Sequence, residues 1–160
     1  MRQIRQGGSV LRWHTIPPVR NQSVGEHSWG VAVLCAKLWE NCSKNLLLAA
    51  LYHDVSEAHL GDNPAPIKWK HPKLAQALAD VEHDLINEMG LWIALDDDDK
   101  KRLKIADMME LLWFCIEEER RGNRTFKEIF VRGVKYLQDT ALDENSKTML
   151  NELIAMEADL

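Results

Sequence analysis

Apolar residues recur at intervals of three and four over six stretches of this chain and nowhere alternate with period two for any length, which predicts helices throughout. Ser23, followed three residues later by Glu26, reads as a capping box, and Val24, Val31, Leu34 and Leu38 carry the helix it opens to about Cys42. A second helix runs from about Lys44 to His59 on Leu46, Ala49, Ala50 and Leu60. A third opens at Pro72, a residue suited to a first helical turn, follows Leu74, Leu78, Val81 and Leu85, and stops near Gly90. The fourth, about Asp98 to Arg121, uses Leu103, Leu111 and Phe114; Asp96 to Asp99 read as its solvated start, favoured by the helix dipole. Beyond Gly122-Asn123, with Thr125 as a cap, Phe126, Ile129, Phe130, Val134 and Leu137 form a fifth, and Leu150, Leu153 and Ile154 a last. Residues 1 to 22 lack periodicity and contain Pro17-Pro18, so this arm reads as loop, with room for a short helical turn before Trp13. The expected fold is all-α, a bundle of about six or seven helices. It forms one domain, because 160 residues build one substantial core and not two.

Several ionisable residues fall on the apolar faces of these helices. His27 lies one turn before Val31, His53 and Glu57 share the stripe of Leu46 and Ala50, Asp54 stands beside His53, and Asp107 and Glu110 share the stripe of Leu103 and Phe114. Burying a carboxylate costs several kcal/mol unless something compensates. Any one of these residues alone reads as a satisfied core polar group. His27, His53, Asp54 and Asp107 together form a mixed nitrogen and oxygen set suited to a divalent transition metal. With no thiolates to close it, such a site keeps positions for water or phosphate oxygens, as a catalytic centre needs. His83-Asp84 repeats the dipeptide but lies off its helix's stripe and should face water; His14, His59 and His71 read as surface or loop residues.

Composition narrows the function classes. With 46% hydrophobic and 28% charged residues the chain is not disordered, and a net charge of −5 argues against a general nucleic-acid or membrane-surface binder, so any phosphate site must be a local one. The polar Met1 to Ser9 segment has no apolar region to serve as a secretory signal, and no run is long enough to cross a membrane. Cys35, Cys42 and Cys115 form no Cys-x-x-Cys pair and read as reduced thiols of a cytoplasmic protein.

The order His27, His53-Asp54, Asp107, each on its own helix, resembles the HD-domain metal-dependent phosphohydrolases. The likeness extends to Arg12-Trp13, to Ser23-Val24-Gly25-Glu26-His27-Ser28, to Tyr52-His53-Asp54-Val55-Ser56-Glu57, to the loop from Gly61 to Lys68 and to Ala106-Asp107. These segments cover roughly residues 10 to 115 and are similar to the 5'-deoxynucleotidase branch, which includes short phage enzymes that hydrolyse dATP. The resemblance implies an HD-domain helical bundle in which His27, His53, Asp54 and Asp107 hold a divalent ion (Co²⁺, Mn²⁺, Zn²⁺ or Mg²⁺). It implies that Glu57 and Asp62 handle protons around the attacking water and the leaving oxygen, with Glu57 as a fifth ligand left open. Arg12 and Lys68 would bind phosphate, Trp13 would pack on the deoxyribose or base and disfavour a 2'-hydroxyl, and Pro66 would form part of the base wall. The implied substrate is a small deoxynucleotide and no nucleic-acid polymer, and the implied assembly is a homo-oligomer. The shortness of the chain favours the phage type, which releases deoxyadenosine and triphosphate from dATP. The alternatives are a 5'-deoxynucleotidase acting on monophosphates and a nucleotide sensor that has lost turnover.

Overall fold

Helix α7 (Asp97–Arg120) is the axis on which the other elements are assembled, because it is the longest and carries ten buried residues along its length. The computed structural model describes residues 1–160. Before α7 in the chain come α1 (Arg2–Gly7), α2 (Val24–Leu38), α3 (Lys44–Tyr52), α4 (Glu57–Leu60), α5 (Ala65–Lys70) and α6 (Pro72–Glu88). After it come α8 (Phe126–Gln138) and α9 (Glu144–Ala158). The fold is all-α: six long helices, three short segments and a single isolated antiparallel bridge between Leu11 and Ser23. No helix is long and apolar enough to cross a membrane.

Helices α2, α3, α8 and α9 pack on α7, and α2 also packs along α3. Their facing stripes form a core of 18 buried residues, with Val31 and Cys35 of α2, Leu46 and Ala50 of α3, Met109, Leu112 and Phe114 of α7, and Phe126, Phe130 and Leu153 of α8 and α9 or their starts. Burying a large aliphatic or aromatic side chain contributes about 1.5 to 3 kcal/mol, so this cluster holds the bundle together.

Local chemistry sets the ends. Ser23 Oγ accepts from the Glu26 amide at 3.1 Å, one half of the expected capping box, while the Glu26 carboxylate turns away to Arg20. Helix α2 stops at Leu38, four residues before the expected Cys42, where the chain bends to bury Trp39 and lets its indole donate to Asp143 at 2.7 Å. Thr125 makes no side-chain cap. Of the four aspartates expected in solvent, Asp99 is instead buried, accepting from the Ser43 hydroxyl at 2.7 Å and pairing with Arg102. That contact ties the start of α7 to the cap of α3.

Two differences matter more. The second helix does not continue to His59: α3 ends at Tyr52, the chain tightens through bonds from Val55 to Tyr52 and from Glu57 to Asp54, and α4 restarts at Glu57. Helix α1 packs against this turn, and Gly7 makes the approach possible, since a Cβ there would sit 2.6 Å from the Val55 carbonyl oxygen. The third helix, α6, carries no buried residue. Its stripe of Leu74, Leu78, Val81 and Leu85 is exposed or half-buried, with α5 as its main contact.

Candidate metal centre and substrate cavity

Ending α3 at Tyr52 places His53 as its C-cap, half-buried, with the imidazole turned back on the helix. Its Nδ1 lies 2.9 Å from the Ala50 carbonyl oxygen. A carbonyl only accepts, so Nδ1 donates and Nε2 is left to face inward. His27, fully buried on α2, does the same by another route: its Nδ1 meets the Glu110 carboxylate of α7, and its Nε2 points at His53 Nε2, 3.2 Å away. Asp107, one turn before Glu110 on α7, brings Oδ1 to 3.2 Å from His27 Nε2. One donor atom from each of His27, His53 and Asp107 lies within 4.8 Å of the others.

Asp54 joins them from the turn, with Oδ2 at 3.3 Å from His53 Nε2 and 3.7 Å from His27 Nε2, and the same oxygen pairs with Arg12 at 2.7 Å. All four residues read from the sequence as ligands are thus adjacent, though Asp54 arrives from a turn and not from a helix face. The two carboxylates are held ionised by the positive groups around them. Burial works against ionisation of Asp54 and Asp107, yet His53 and Arg12 hold Asp54 well below the usual carboxylate range, and His27 and Lys104 do the same for Asp107. Burial opposes charge on His53 as well, but the Asp54 carboxylate raises it to about 9. Burial and the Asp54 charge push Glu57 up to about 8. Glu57 Oε2 and Arg12 Nε are buried without a hydrogen-bond partner. Two imidazole nitrogens, two carboxylates and an unpartnered buried carboxyl oxygen fit a borderline divalent ion.

Beside this cluster opens a cavity of about 400 Å³ whose lining includes Asp54, Glu57 and Asp107. Arg12, Trp13, Asp62, Pro66 and Lys68, the other residues singled out in the sequence, all line it too. Trp13 is a platform held from several sides. Its ring stacks on Phe114 at 5.4 Å and meets Phe126 edge-on at 5.0 Å, while its backbone N–H donates to Asp62 Oδ2 at 2.9 Å. Its φ of 67° is a strained value for a bulky residue, and the Asp62 contact and the aromatic packing are what hold it there.

The cavity also shows what the sequence did not reveal. Lys104 lines it and pairs with Asp107 at 2.7 Å; Ile129, Arg132, Gly133 and Tyr136 bring α8 into its wall. The apolar repeat marks only the buried face of α8, so its cavity-facing polar residues carried no signal. Glu110 had one, its place one turn from Asp107. Gln22, which bonds it, lies in the non-periodic arm and had none. His83 is exposed as expected, and its ring meets Trp92 edge-on.

An all-α bundle with two inward histidines, the His-Asp turn and an aspartate one helix away defines the class of HD-domain phosphohydrolases. The family model described as 5'-deoxynucleotidase YfbR-like matches residues 2–95, and the chain belongs to that family and is a hydrolase. A 5'-deoxynucleotidase of Yersinia pestis is 29% identical over 152 residues, covering 80% of this chain and 77% of its own. Among solved structures, the HD phosphohydrolase DatZ of cyanophage S-2L, bound to dA and one catalytic Zn²⁺ ion, shares the fold with a TM-score of 0.71 at 20% identity, covering 100% of this chain and 97% of its own. An HD-domain phosphohydrolase of Listeria innocua does so with a TM-score of 0.76 at 21% identity, over 99% and 88% of the two chains.

Proposed function

We propose that the protein is a metal-dependent phosphohydrolase of 2'-deoxynucleotides that cleaves between the 5'-oxygen and the α-phosphorus, with dATP as substrate and deoxyadenosine and triphosphate as products. The observation that carries this reading is the convergence of His27, His53, Asp54 and Asp107 beside a cavity that also presents Arg12, Lys68, Lys104 and Arg132. An ion taking up Asp54 and Asp107 would free their partners Arg12 and Lys104 to join Lys68 and Arg132 around a triphosphate, whose charge exceeds that of a monophosphate. A divalent ion held by the four ligands would supply Lewis acidity towards a phosphate oxygen and lower the pKa of water.

The chain's own groups do the rest. Arg12 and Lys68 offset charge on the transferred phosphate. Glu57, raised by burial and the Asp54 charge, lines the cavity with Asp62, and we assign these two to proton exchange with the water and the leaving 5'-oxygen. Trp13 and Pro66 bound the space for sugar and base, and the fixed Trp13 ring disfavours a 2'-hydroxyl. We assign the protein to the cytoplasm and to a homo-oligomer, the latter supported by the uncovered stripe of α6. A second reading, a 5'-deoxynucleotidase acting on deoxynucleoside monophosphates, is favoured by the family match and the Yersinia relative.

Incubation with dNTPs, dNMPs and ribonucleotides plus Zn²⁺, Co²⁺ or Mn²⁺, with products separated by chromatography, tests both. Triphosphate released from dATP supports the first reading, and orthophosphate from dAMP alone replaces it with the second. No hydrolysis of any substrate leaves a nucleotide sensor. Asp54→Ala is expected to abolish turnover in either enzymatic case; surviving activity would remove Asp54 from the centre.

A further inference from the structure

A buried line of hydrogen bonds leads from the cavity platform to the candidate metal cluster through Gln22 and Glu110, which neither line the cavity nor belong to the ligand set. Trp13 Nε1 donates to Gln22 Oε1 at 2.9 Å, Gln22 Nε2 donates to Glu110 Oε1 at 2.7 Å, and the other Glu110 oxygen meets His27 Nδ1. Gln22 is 1% exposed, Glu110 8% and His27 0%, so water does not substitute along this line. The backbone makes room for it: a Cβ on Gly30 of α2 would lie 2.8 Å from Glu110 Cγ.

The line has one polarity. An indole N–H only donates, so Trp13 fixes which end of the Gln22 amide faces it, and the opposite end must then donate to Glu110. A carboxylate only accepts, so Glu110 takes a proton bond from Gln22 on one oxygen and from His27 Nδ1 on the other. With Nδ1 committed as a donor, the neutral imidazole presents its lone pair at Nε2, towards His53 and Asp107.

We propose that Gln22 and Glu110 are positioning residues: the Glu110 carboxylate holds His27 as the Nδ1–H tautomer, and Gln22, its amide oriented by the Trp13 indole, holds that carboxylate in place, so that His27 Nε2 is aimed where the metal would bind. The proposal rests on the metal-dependent reading above. It differs from a general packing role because it depends on the direction of each bond and not only on the volume filled. Glu110→Gln keeps shape but puts an amide where an acceptor is required; whichever way the two amides turn, two donors face each other or His27 Nδ1 must accept, which moves the imidazole proton to Nε2, where the metal would bind. The double exchange Glu110→Gln with Gln22→Glu restores the order: the new carboxylate at 22 accepts from Trp13 and from the new amide at 110, whose oxygen accepts from His27. Gln22→Leu breaks the line without changing any charge.

The test is titration of the metal-free full chain with Zn²⁺ by calorimetry, and with Co²⁺ by its visible absorption, each variant checked by circular dichroism. Removal of such an outer partner costs about 10- to 100-fold in metal affinity, and that loss is expected for Glu110→Gln and for Gln22→Leu, with a changed Co²⁺ spectrum. The double exchange is expected to return most of the affinity and the wild-type spectrum. Folded single variants that bind Zn²⁺ as wild type does, or a folded double exchange that recovers nothing over Glu110→Gln, overturn the proposal. Failure of the wild-type chain itself to bind Zn²⁺ or Co²⁺ overturns the metal reading beneath it. If the single variants do not fold, recovery of fold and metal binding together in the double exchange still supports the bond order, and its absence overturns it.

Discussion

Glu118 shows how much one side chain organises. Fully buried near the end of α7, it accepts from the Val19 amide at 2.6 Å, the Arg20 amide at 2.9 Å and Asn123 Nδ2 at 3.0 Å, fastening the arm that carries Arg12 and Trp13. Burial works against its ionisation, but these donors outweigh burial and lower its pKa from the usual 4.5. A lowered acid stabilises the fold at pH above the unfolded value and loses that contribution as pH falls through the native value. Glu118→Gln is therefore expected to cost about 1 to 3 kcal/mol at neutral pH, and the gap to wild type should close in urea unfolding curves taken at progressively lower pH below 4.5. Residue by residue, His27, His53 and Asp107 were legible because ionisable groups on an apolar stripe must be compensated by something. Gln22 was not, because an arm without periodicity does not say which of its polar groups is buried.

Among the elements, the decisive one is the turn of residues 53–56. The apolar repeat runs unbroken through it, so periodicity alone reads one helix, whereas the structure spends the repeat on two helices and uses the break to turn Asp54 and Glu57 towards the cavity. Helix α1 braces that break through the close passage of Gly7 past the Val55 carbonyl. A Gly7→Ala variant must push the two apart, since the contact is with backbone that cannot move aside. Overpacking of this kind costs about 1 to 3 kcal/mol, and a lower urea midpoint is the expected result. A midpoint unchanged from wild type would show that α1 does not brace the turn. The stretch after the turn, expected as a loop from Gly61 to Lys68, is helical from Ala65, so Pro66 and Lys68 reach the cavity from α5.

On the scale of the whole molecule, α6 is the part that the fold leaves unfinished. It carries no buried residue, and Leu74 and Val81 stand 42% and 44% exposed, close to the exposed Trp69 in sequence. A second copy covering this stripe would complete it, which is the ground for the proposed oligomer. Light scattering is expected to give a multiple of 18.4 kDa for wild type and a smaller assembly for Leu78→Glu with Val81→Glu. A monomeric wild-type chain would refute this.

The sequence by itself determined the all-α class, the apolar faces of the long helices and the four residues of the proposed metal set, because helical period and the cost of burying charge are local rules. It also carried the family, through motifs contiguous along the chain. Only the tertiary structure decided that α3 breaks at His53, that α8 walls the cavity and that Trp13, Gln22 and Glu110 form one line behind His27. Those features depend on which surfaces meet across α2, α7 and α8, and hydrogen bonds between residues 9 and 88 positions apart leave no periodic trace along the chain.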